Sequence, residues 1–282
     1  MANHPALSEG RTAVITGAAS GIGLAAAARC ADFGMRVVLA DINQPELEKA
    51  VAEVARRAGR QGNVIGVPTD VSKREEVERL KARALEAFGK VDFLMNNAGR
   101  GGAGRMFDPV DGWKAILDTN LWGVIHGVQV FAEDMAKQKS PGAVVNTGSK
   151  QGITCPPGNA AYNVSKAGVR VVTELLAHEL RNIEGCQTTV HLLVPGFTYT
   201  GIAENRAPQK PAGAWTAEQV IDFMLPALTK GDFYIICPDK EVTRAIDNKR
   251  MRWAMDDIIE NRPALSRWHP DFKEAFAKYM GS

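Results

Sequence analysis

The chain has 282 residues, of which 45% are hydrophobic and 23% are charged, and its formal net charge is +2. Such a balanced charge creates no field that would draw the protein to nucleic acid or to a membrane surface. No apolar run approaches the roughly 20 residues needed to span a bilayer, and residues 1–11 lack a basic segment followed by an apolar core, so a cytoplasmic protein is expected.

Short β-branched runs alternate with longer segments rich in Ala, Glu and Lys from residue 11 to about residue 237. This alternation predicts an α/β fold, a doubly wound parallel sheet with helices on both faces. The candidate strands are Thr12 to Thr16, Arg36 to Asp41, Asn63 to Val67, Val91 to Asn96, Ala143 to Thr147, Gln187 to Val194 and Phe233 to Cys237. No flexible linker divides the region, so residues 1–238 are predicted to form a single domain.

Helices are predicted between the strands. An alanine-rich segment, Leu24 to Phe33, follows the first strand. Glu46 to Arg57 and Ser72 to Phe88 carry apolar residues at three- and four-residue spacing, which is typical of amphipathic helices. Ser72 stands at an N-cap position with Glu75 three residues later, and this pair predicts a capping box.

A glycine loop, Thr16-Gly17-Ala-Ala-Ser-Gly21-Ile-Gly23, joins the first strand to the first helix. Glycine lets the backbone approach phosphate oxygens, and free N–H groups at a helix start favour negative charge. The motif alone is also compatible with a tight turn that packs the helix on the sheet. The second strand ends at Asp41, however, where a carboxylate can accept hydrogen bonds from a ribose hydroxyl. This order of features predicts a dinucleotide site.

The choice between NAD and NADP depends on the same carboxylate. Asp41 would repel the 2′-phosphate of NADP, and no neighbouring residue of the loop or of the strand end (Ala18, Ala19, Ser20 and Ile42) supplies a cation to offset that repulsion. The sequence therefore predicts NAD, with NADP disfavoured.

Tyr162 and Lys166 stand four residues apart, which places them on one face of a helix. A free phenol titrates at about 10, too high for efficient base catalysis at neutral pH. An ammonium about 4 Å away would lower that pKa by roughly three units before desolvation opposes it. The pair therefore predicts a proton-transfer site.

Further motifs accompany this pair: Asn96-Asn97-Ala98-Gly99, Asn120, Ser149, and Pro195-Gly196 with Thr200. With the glycine loop they stand in the order found in the short-chain dehydrogenase/reductase family, which the chain resembles from about Arg11 to Pro238. The resemblance implies a Rossmann fold and hydride transfer between NAD and a secondary alcohol or ketone. In that reaction Tyr162 would be the general acid/base and Lys166 would also hold the nicotinamide ribose. Ser149 would orient the substrate oxygen, and Asn120 would hold a water in a proton relay.

The resemblance also implies cofactor contacts at the strand ends, with Asp70 at the adenine and Thr200 at the carboxamide. The full set expected to bind cofactor is Gly17, Ser20, Gly21, Ile22, Gly23, Asp41, Asp70, Val71, Asn97, Ala98, Gly99, Tyr162, Lys166, Pro195, Gly196, Thr198 and Thr200. No metal site is predicted, because the four cysteines are scattered without a Cys-x-x-Cys pair, a spacing that favours reduced thiols.

The substrate pocket is expected in the loops after Gly99, Ser149 and Gly196. Its predicted lining is Ser149, Gln151, Ile153, Tyr162 and Phe197, with Trp113 or Tyr199 as further walls. The segment from Thr200 to Trp215 resembles the family's substrate lid, and its Pro208, Pro211 and Gly213 suit a loop that orders on binding. Its short length favours a small or medium secondary alcohol.

Two departures from the family pattern flank Ser149. Gly148 stands where the family often has serine, and Lys150 is interpreted as a solvent-facing side chain or as an attractor for a carboxylate-bearing substrate. The sugar-nucleotide epimerases and dehydratases of the extended branch are disfavoured, because their loop reads Gly-x-x-Gly-x-x-Gly and residue 20 is Ser here. A dinucleotide-binding sensor without catalysis is the other alternative.

Residues 239–282 form a C-terminal extension that the family core does not require. Its apolar stripe, interrupted by Lys249, predicts a helix packed on its own subunit, while crossing to a neighbouring subunit or covering a pocket stays an alternative. The resemblance implies a homodimer or homotetramer, paired through the helices that hold Asn120 and Tyr162.

Overall fold

The computed structural model describes residues 3–59, 62–102, 105–200, 209–239 and 241–281. The strands are β1 (Thr12–Thr16), β2 (Arg36–Asp41), β3 (Val64–Pro68), β4 (Phe93–Asn96), β5 (Gly142–Thr147), β6 (Thr188–Val194) and β7 (Tyr234–Ile236). Within the described ranges they form one seven-stranded parallel sheet in the order β3-β2-β1-β4-β5-β6-β7. Each candidate strand is present, with bounds within two residues of the prediction.

Helices connect the strands and continue beyond the last one. They are α1 (Gly21–Asp32), α2 (Gln44–Arg57), α3 (Arg74–Phe88), α4 (Val110–Leu117), α5 (Gly123–Lys137), α6 (Gln151–Thr154), α7 (Ala160–Arg181), α8 (Ala217–Lys230), α9 (Arg244–Ile259) and α10 (Lys273–Gly281). A π-helical turn, Asp118–Trp122, joins α4 to α5. Among the described residues, no helix is both long enough and apolar enough to cross a membrane.

Both faces of the sheet are buried, because successive side chains of each strand point to opposite faces. In β2, Val37 and Leu39 belong to a core that also contains residues of α1, α2 and α8. Val38 and Ala40 belong to a second core with residues of α3, α5 and α7. The predicted doubly wound α/β fold is therefore confirmed.

The chain reverses its direction of travel across the sheet between β1 and β4. Val14 of β1 is paired with Val38 of β2 on one side and with Leu94 of β4 on the other. In open α/β sheets, ligands bind in the crevice at the carboxyl ends of the strands where the order reverses. The fold therefore predicts a ligand site at the loops after β1 and β4.

The predicted Ser72 cap is wrong. Helix α3 begins at Arg74, with Lys73 at the N-cap position. The Ser72 hydroxyl instead donates to Asp70 Oδ1 at 2.6 Å, and this oxygen also accepts the Ser72 N–H at 3.0 Å. Aspartate side chains readily accept from the backbone two residues on, and this local turn competes with the cap.

The C-terminal extension forms a helical hairpin, with α9 packed against α6 of the same chain. Trp253 of α9 is 5% exposed; its ring contacts Phe276 and Tyr279, and its Nε1 donates to Ser266 Oγ at 2.8 Å. Lys249 does not interrupt this packing. Its Nζ donates to the carbonyl of Met280 at 3.0 Å, near the end of α10, where a cation also opposes the helix dipole.

Candidate active site

The glycine loop after β1 lies against the loop after β4. Gly17 has a φ of +64°, and a Cβ at this position would lie 2.7 Å from the Cα of Ala98. The side-chain amide of Asn97 donates to the carbonyls of Thr16 and Gly17, at 3.1 Å and 3.3 Å. The Thr16 hydroxyl accepts the N–H groups of Asn97 and Ala98, at 3.0 Å and 3.1 Å. These contacts hold the backbone of both loops at the crevice, with α1 starting at Gly21.

Asp41, at the end of β2, anchors the same region. Its Oδ2 accepts the N–H of Ala19 at 3.1 Å, and its Oδ1 accepts the N–H of Asn43 at 3.0 Å. The carboxylate borders a cleft of about 390 Å³. The described residues lining this cleft are Gly17, Asp41, Ile42, Thr69, Asp70, Val71, Ala98, Gly99, Arg100, Gly101 and Thr119.

A second cleft of about 280 Å³ adjoins the first, since Gly17, Asp41 and Gly99 border both. Its lining is Gly17, Ser20, Gly21, Ile22, Asp41, Asn97, Gly99, Thr147, Gly148, Ser149, Tyr162, Lys166, Pro195, Gly196, Thr198 and Thr200. Of the predicted cofactor residues, only Gly23 lies outside both linings, and a Cβ there would meet the Gly17 carbonyl at 2.2 Å. All predicted cofactor residues except Gly23 therefore line two adjoining clefts.

The side chains of Ser149, Tyr162 and Lys166 converge in the second cleft. The Ser149 side chain interacts with the Tyr162 hydroxyl. Lys166 is 3% exposed, and its Nζ donates to the backbone carbonyl of Thr147 at 2.8 Å. Gly152 makes this convergence sterically possible, because a Cβ there would lie 2.4 Å from the backbone carbon of Lys166 where α6 crosses α7.

The direction of the Tyr162 pKa shift differs from the expectation. Burial raises the pKa of Tyr162 above its usual value, and the Ser149 side chain, which lowers this pKa, opposes the rise only in part. Lys166 Nζ lies 5.8 Å from the centre of the Tyr162 ring. Burial also lowers the pKa of Lys166 to about 8. Burial is therefore the largest cause of the pKa shift of both side chains.

Asn120 lies in the π-helical turn and is fully buried. Among the described residues, its side chain makes no hydrogen bond to Tyr162 or Lys166. Its Oδ1 accepts the N–H of Arg100 at 2.8 Å. Its Nδ2 donates to the Arg100 carbonyl at 3.0 Å and to Ser165 Oγ at 3.3 Å. Asn120 thus ties the loop after β4 to the residue before Lys166.

The residues predicted to line the substrate pocket do not all lie at the second cleft. Gln151, Ile153 and Phe197 are not among the lining of the second cleft. Together with Met251 of the C-terminal extension, Ile153 borders a separate cavity of about 50 Å³. Phe197 is 57% exposed. The place of Ile153 in the substrate pocket stays a prediction.

The predicted lid, Thr200 to Trp215, falls in part on residues 201–208, including Pro208, which lie outside the described residues. Its two flanks are joined by backbone hydrogen bonds. Tyr199 N–H donates to the Trp215 carbonyl, and Trp215 N–H donates to the Phe197 carbonyl, both at 2.9 Å. These bonds hold residues 197–199 and Trp215 together.

Lys150 is not the solvent-facing side chain that the sequence suggested. Its side chain is 20% exposed, and its Nζ lies 2.7 Å from Asp247 Oδ2 and 3.4 Å from Asp239 Oδ2. Sequence reasoning missed both aspartates, which stand far along the chain and belong to no motif. It also missed Arg100 and the Thr147 carbonyl, although Thr147 stands two residues before Ser149 and so within reach of a motif-based search.

No group of three or more His, Cys, Asp or Glu side chains in the described part of the chain could hold a metal ion. The residues lining the two clefts supply hydroxyls, the buried amine of Lys166, the Arg100 guanidinium, the Asn97 amide, the carboxylates of Asp41 and Asp70, and backbone N–H groups. This set suits proton transfer and the binding of a nucleotide.

Comparison with known proteins supports the same conclusion. Residues 11–211 match the family model described as short chain dehydrogenase. The chain is 34% identical over 215 residues to D-beta-hydroxybutyrate dehydrogenase of Rhizobium meliloti (strain 1021), which covers 75% of this chain and 81% of the relative. A short-chain dehydrogenase/reductase from Burkholderia phymatum, solved in complex with NAD, is 37% identical with a TM-score of 0.80 and covers 90% of this chain and 96% of its own. NAD⁺-bound xylitol dehydrogenase is 34% identical with a TM-score of 0.62 and covers 67% of this chain and 71% of its own.

Proposed function

Because the chain belongs to the short-chain dehydrogenase family, we propose that it transfers a hydride between NAD and a secondary alcohol or its ketone. The observation that carries this proposal is the convergence of Ser149, Tyr162 and Lys166 in one cleft that the glycine loop also borders. A small-molecule substrate would bind above these side chains.

The described residues fit NAD. The backbone of Gly17, held in a left-handed conformation against Ala98, leaves room for phosphate oxygens, and the N-terminus of α1 favours their charge. The Asp41 carboxylate would accept from the ribose hydroxyls and disfavour a 2′-phosphate. When bound, NAD accepts a hydride from the carbinol carbon of the alcohol. Two similar solved structures are described as NAD complexes, which supports this choice.

Tyr162 would exchange a proton with the substrate oxygen. Since its pKa is raised, Tyr162 carries its proton at neutral pH and is ready to donate it to the oxygen of a ketone. In the direction of alcohol oxidation the phenol must first lose that proton, so oxidation should accelerate as the pH rises above neutral. Ser149 would hold the substrate oxygen by a second hydrogen bond and orient it for transfer.

Lys166 and Asn120 would support this proton exchange. Lys166 would hold the nicotinamide ribose, and its buried amine, with a pKa near 8, is charged in most molecules at neutral pH. Asn120 would keep the chain between Arg100 and Ser165 in place and hold the water of a proton relay. The site would accept a small or medium substrate that is partly apolar.

Tyr162→Phe tests the proposal. The variant removes the exchangeable proton and keeps the ring, so turnover should fall by about 100-fold or more. NADH should still bind, since the clefts keep their glycine loop and Asp41. The measurement is NADH formation from NAD with a panel of secondary alcohols, together with a fluorescence titration of NADH.

Tyr234→Phe is the matched control, because that hydroxyl donates to Glu174 on an exposed surface. It should leave turnover unchanged. A wild-type protein that binds NADH but oxidises no alcohol and reduces no ketone of the panel would instead identify a dinucleotide sensor. Near-normal turnover by the Tyr162 variant would exclude the assigned role.

A further inference from the structure

Lys150, the residue after Ser149, is enclosed by two carboxylates of the C-terminal part of the chain. Its Nζ lies 2.7 Å from Asp247 Oδ2, on α9, and 3.4 Å from Asp239 Oδ2, which precedes α9. The two carboxylate side chains are 7% and 8% exposed. We call Lys150, Asp239 and Asp247 the Lys150 cluster. Ion pairs this far from solvent are screened little by salt.

Asp239 extends the cluster to the loop after β6. Its Oδ2 accepts the N–H of Phe197 at 3.3 Å, and its Oδ1 accepts the N–H of Val242 at 2.8 Å. Burial favours the neutral acid, but the Val242 N–H and the Lys150 ammonium hold the pKa of Asp239 below its usual range. The carboxylate is therefore charged at neutral pH, and it joins the Pro195-Gly196 loop to the start of the extension.

The short helix α6 lies between α7, which carries Tyr162 and Lys166, and the C-terminal extension. On one side it crosses α7 at Gly152, where the backbone of Lys166 leaves no space for a side chain. On the other side it contacts α9, and Ile153 and Met251 line the same small cavity. Ser149 starts this segment, and its Oγ accepts the N–H of Gln151 at 3.2 Å. A displacement of α6 would therefore move the Ser149 hydroxyl relative to Tyr162.

From this geometry we propose that Asp247 is a positioning residue for the catalytic site: through Lys150 it holds α6, and with it the Ser149 hydroxyl, in the orientation that meets Tyr162. The C-terminal extension is then part of the enzyme's working structure rather than an appendage. The catalytic consequence rests on the proposed function, whereas the positioning itself does not.

Asp247→Asn tests the positioning without any substrate. The substitution keeps the shape of the side chain and removes its charge, which leaves the partly buried Lys150 ammonium with Asp239 alone. Hydrogen exchange of the full chain, followed by mass spectrometry, reads the amides of α6 directly. In the structure the N–H groups of Gly152, Ile153, Thr154 and Cys155 donate to carbonyls of residues 149–151. These amides should exchange at least about fivefold faster in the variant, because local opening becomes easier.

Asp271→Asn is the matched control, since it makes the same chemical change on the same extension at a side chain that is 82% exposed. It should leave the exchange of residues 150–155 unchanged. Faster exchange confined to residues 243–281 in the Asp247 variant would overturn the proposal, because Asp247 would then stabilise only its own hairpin. If Asp247→Asn does not fold, Lys150→Met provides the same readout by removing the other partner of the pair.

Kinetics with the best alcohol of the panel test the catalytic consequence. Asp247→Asn should lower kcat/KM about 10-fold while the Kd of NADH stays within twofold, because Asp247 borders neither cofactor cleft. Lys150→Met combined with Asp247→Asn should be no worse than the poorer single variant, since both remove one interaction. Asp247→Glu, which keeps the charge, should retain most of the activity.

The two proposals fail separately. Unchanged exchange in α6 and unchanged kcat/KM, in a wild-type protein that oxidises the alcohol, would sink the positioning role and leave the oxidoreductase intact. A wild-type protein that turns over no alcohol, but whose α6 opens in the Asp247 variant, would sink the proposed function alone. Fully additive losses in the double variant would also count against the cluster.

Discussion

At the scale of single residues, Asp41 has two roles: it accepts backbone hydrogen bonds, and it places a negative charge at the clefts. Its two oxygens hold the N–H groups of Ala19 and Asn43, and the same carboxylate borders both clefts. Among the described residues lining the larger cleft, Arg100 carries a positive charge. Removing the carboxylate therefore both frees the loop and removes a negative charge from both clefts.

Asp41→Ala should raise the ratio of kcat/KM with NADP to kcat/KM with NAD by about 10-fold or more, because the repulsion of a 2′-phosphate disappears. The measurement is steady-state kinetics with both cofactors and one alcohol. Asp41→Asn is the companion variant, since it removes the charge and keeps an acceptor for the loop. A ratio unchanged in both variants would show that Asp41 does not select the cofactor.

The burial of the Lys166 amine lowers the free energy of unfolding near neutral pH. Its folded pKa of about 8 is below its ordinary value of 10.5. The unfolded chain therefore binds more protons between these two values, and the free energy of unfolding contributed by this group rises with pH across that window. Below pH 8 the burial of the charge costs the folded state about 3 kcal/mol.

Lys166→Met should consequently abolish turnover and yet unfold at a higher urea concentration than the wild type at pH 7. The expected gain is about 2 kcal/mol, since the lost hydrogen bond to Thr147 offsets part of it. The gain should shrink between pH 8 and pH 10 as the wild-type amine loses its proton. Urea unfolding followed by circular dichroism at pH 7 and pH 9.5 checks this; an equal difference at both values would refute the assigned cause.

At the scale of elements, the helices show which local signals could be read in advance. The three- and four-residue spacing of apolar side chains located α2 and α3 correctly, because that spacing follows from helix geometry. The start of α3 was missed, since Asp70 competes for Ser72. The π-helical turn that carries Asn120 had no signal in the sequence. Such turns occur often at functional sites, and here the turn places Asn120 between Arg100 and Ser165.

Helix α7 also carries an exposed apolar stripe on the side away from the site. Val164, Val171 and Leu175 are 48%, 43% and 57% exposed, and their spacing places them on one face. Trp122, on the π-helical turn, is 50% exposed. Exposed apolar patches often mark interfaces, which fits the proposed pairing of subunits through the helices that hold Asn120 and Tyr162.

Leu175→Glu should therefore reduce the mass of the protein in solution by placing a charge in that interface. The measurement is size-exclusion chromatography with light scattering. Leu85→Glu provides the control, because Leu85 is 37% exposed on α3, away from the stripe. The proposal fails if the wild-type protein is a monomer or if the Leu175 variant keeps its mass.

At the scale of the whole molecule, the site exists because the sheet brings distant loops to one edge. The loops after β1, β4, β5 and β6 meet there, and the C-terminal extension reaches the same edge through α6. The seven strands and the residues Ser149, Tyr162 and Lys166 could be predicted because they depend on short-range periodicity and fixed spacing. The lining contributed by Arg100 and by the Thr147 carbonyl could not be predicted in the same way, since it depends on how the loops lie.

The sequence by itself determined the strand and helix pattern, the glycine loop and the Ser149, Tyr162 and Lys166 set, since each is a matter of neighbours along the chain. Only the tertiary structure decided that burial raises the pKa of Tyr162, because desolvation depends on everything packed around the hydroxyl. It also decided that Lys150 pairs with carboxylates, one of them 89 residues away, instead of facing solvent. Such a contact depends on the folding of the whole chain and leaves no local pattern.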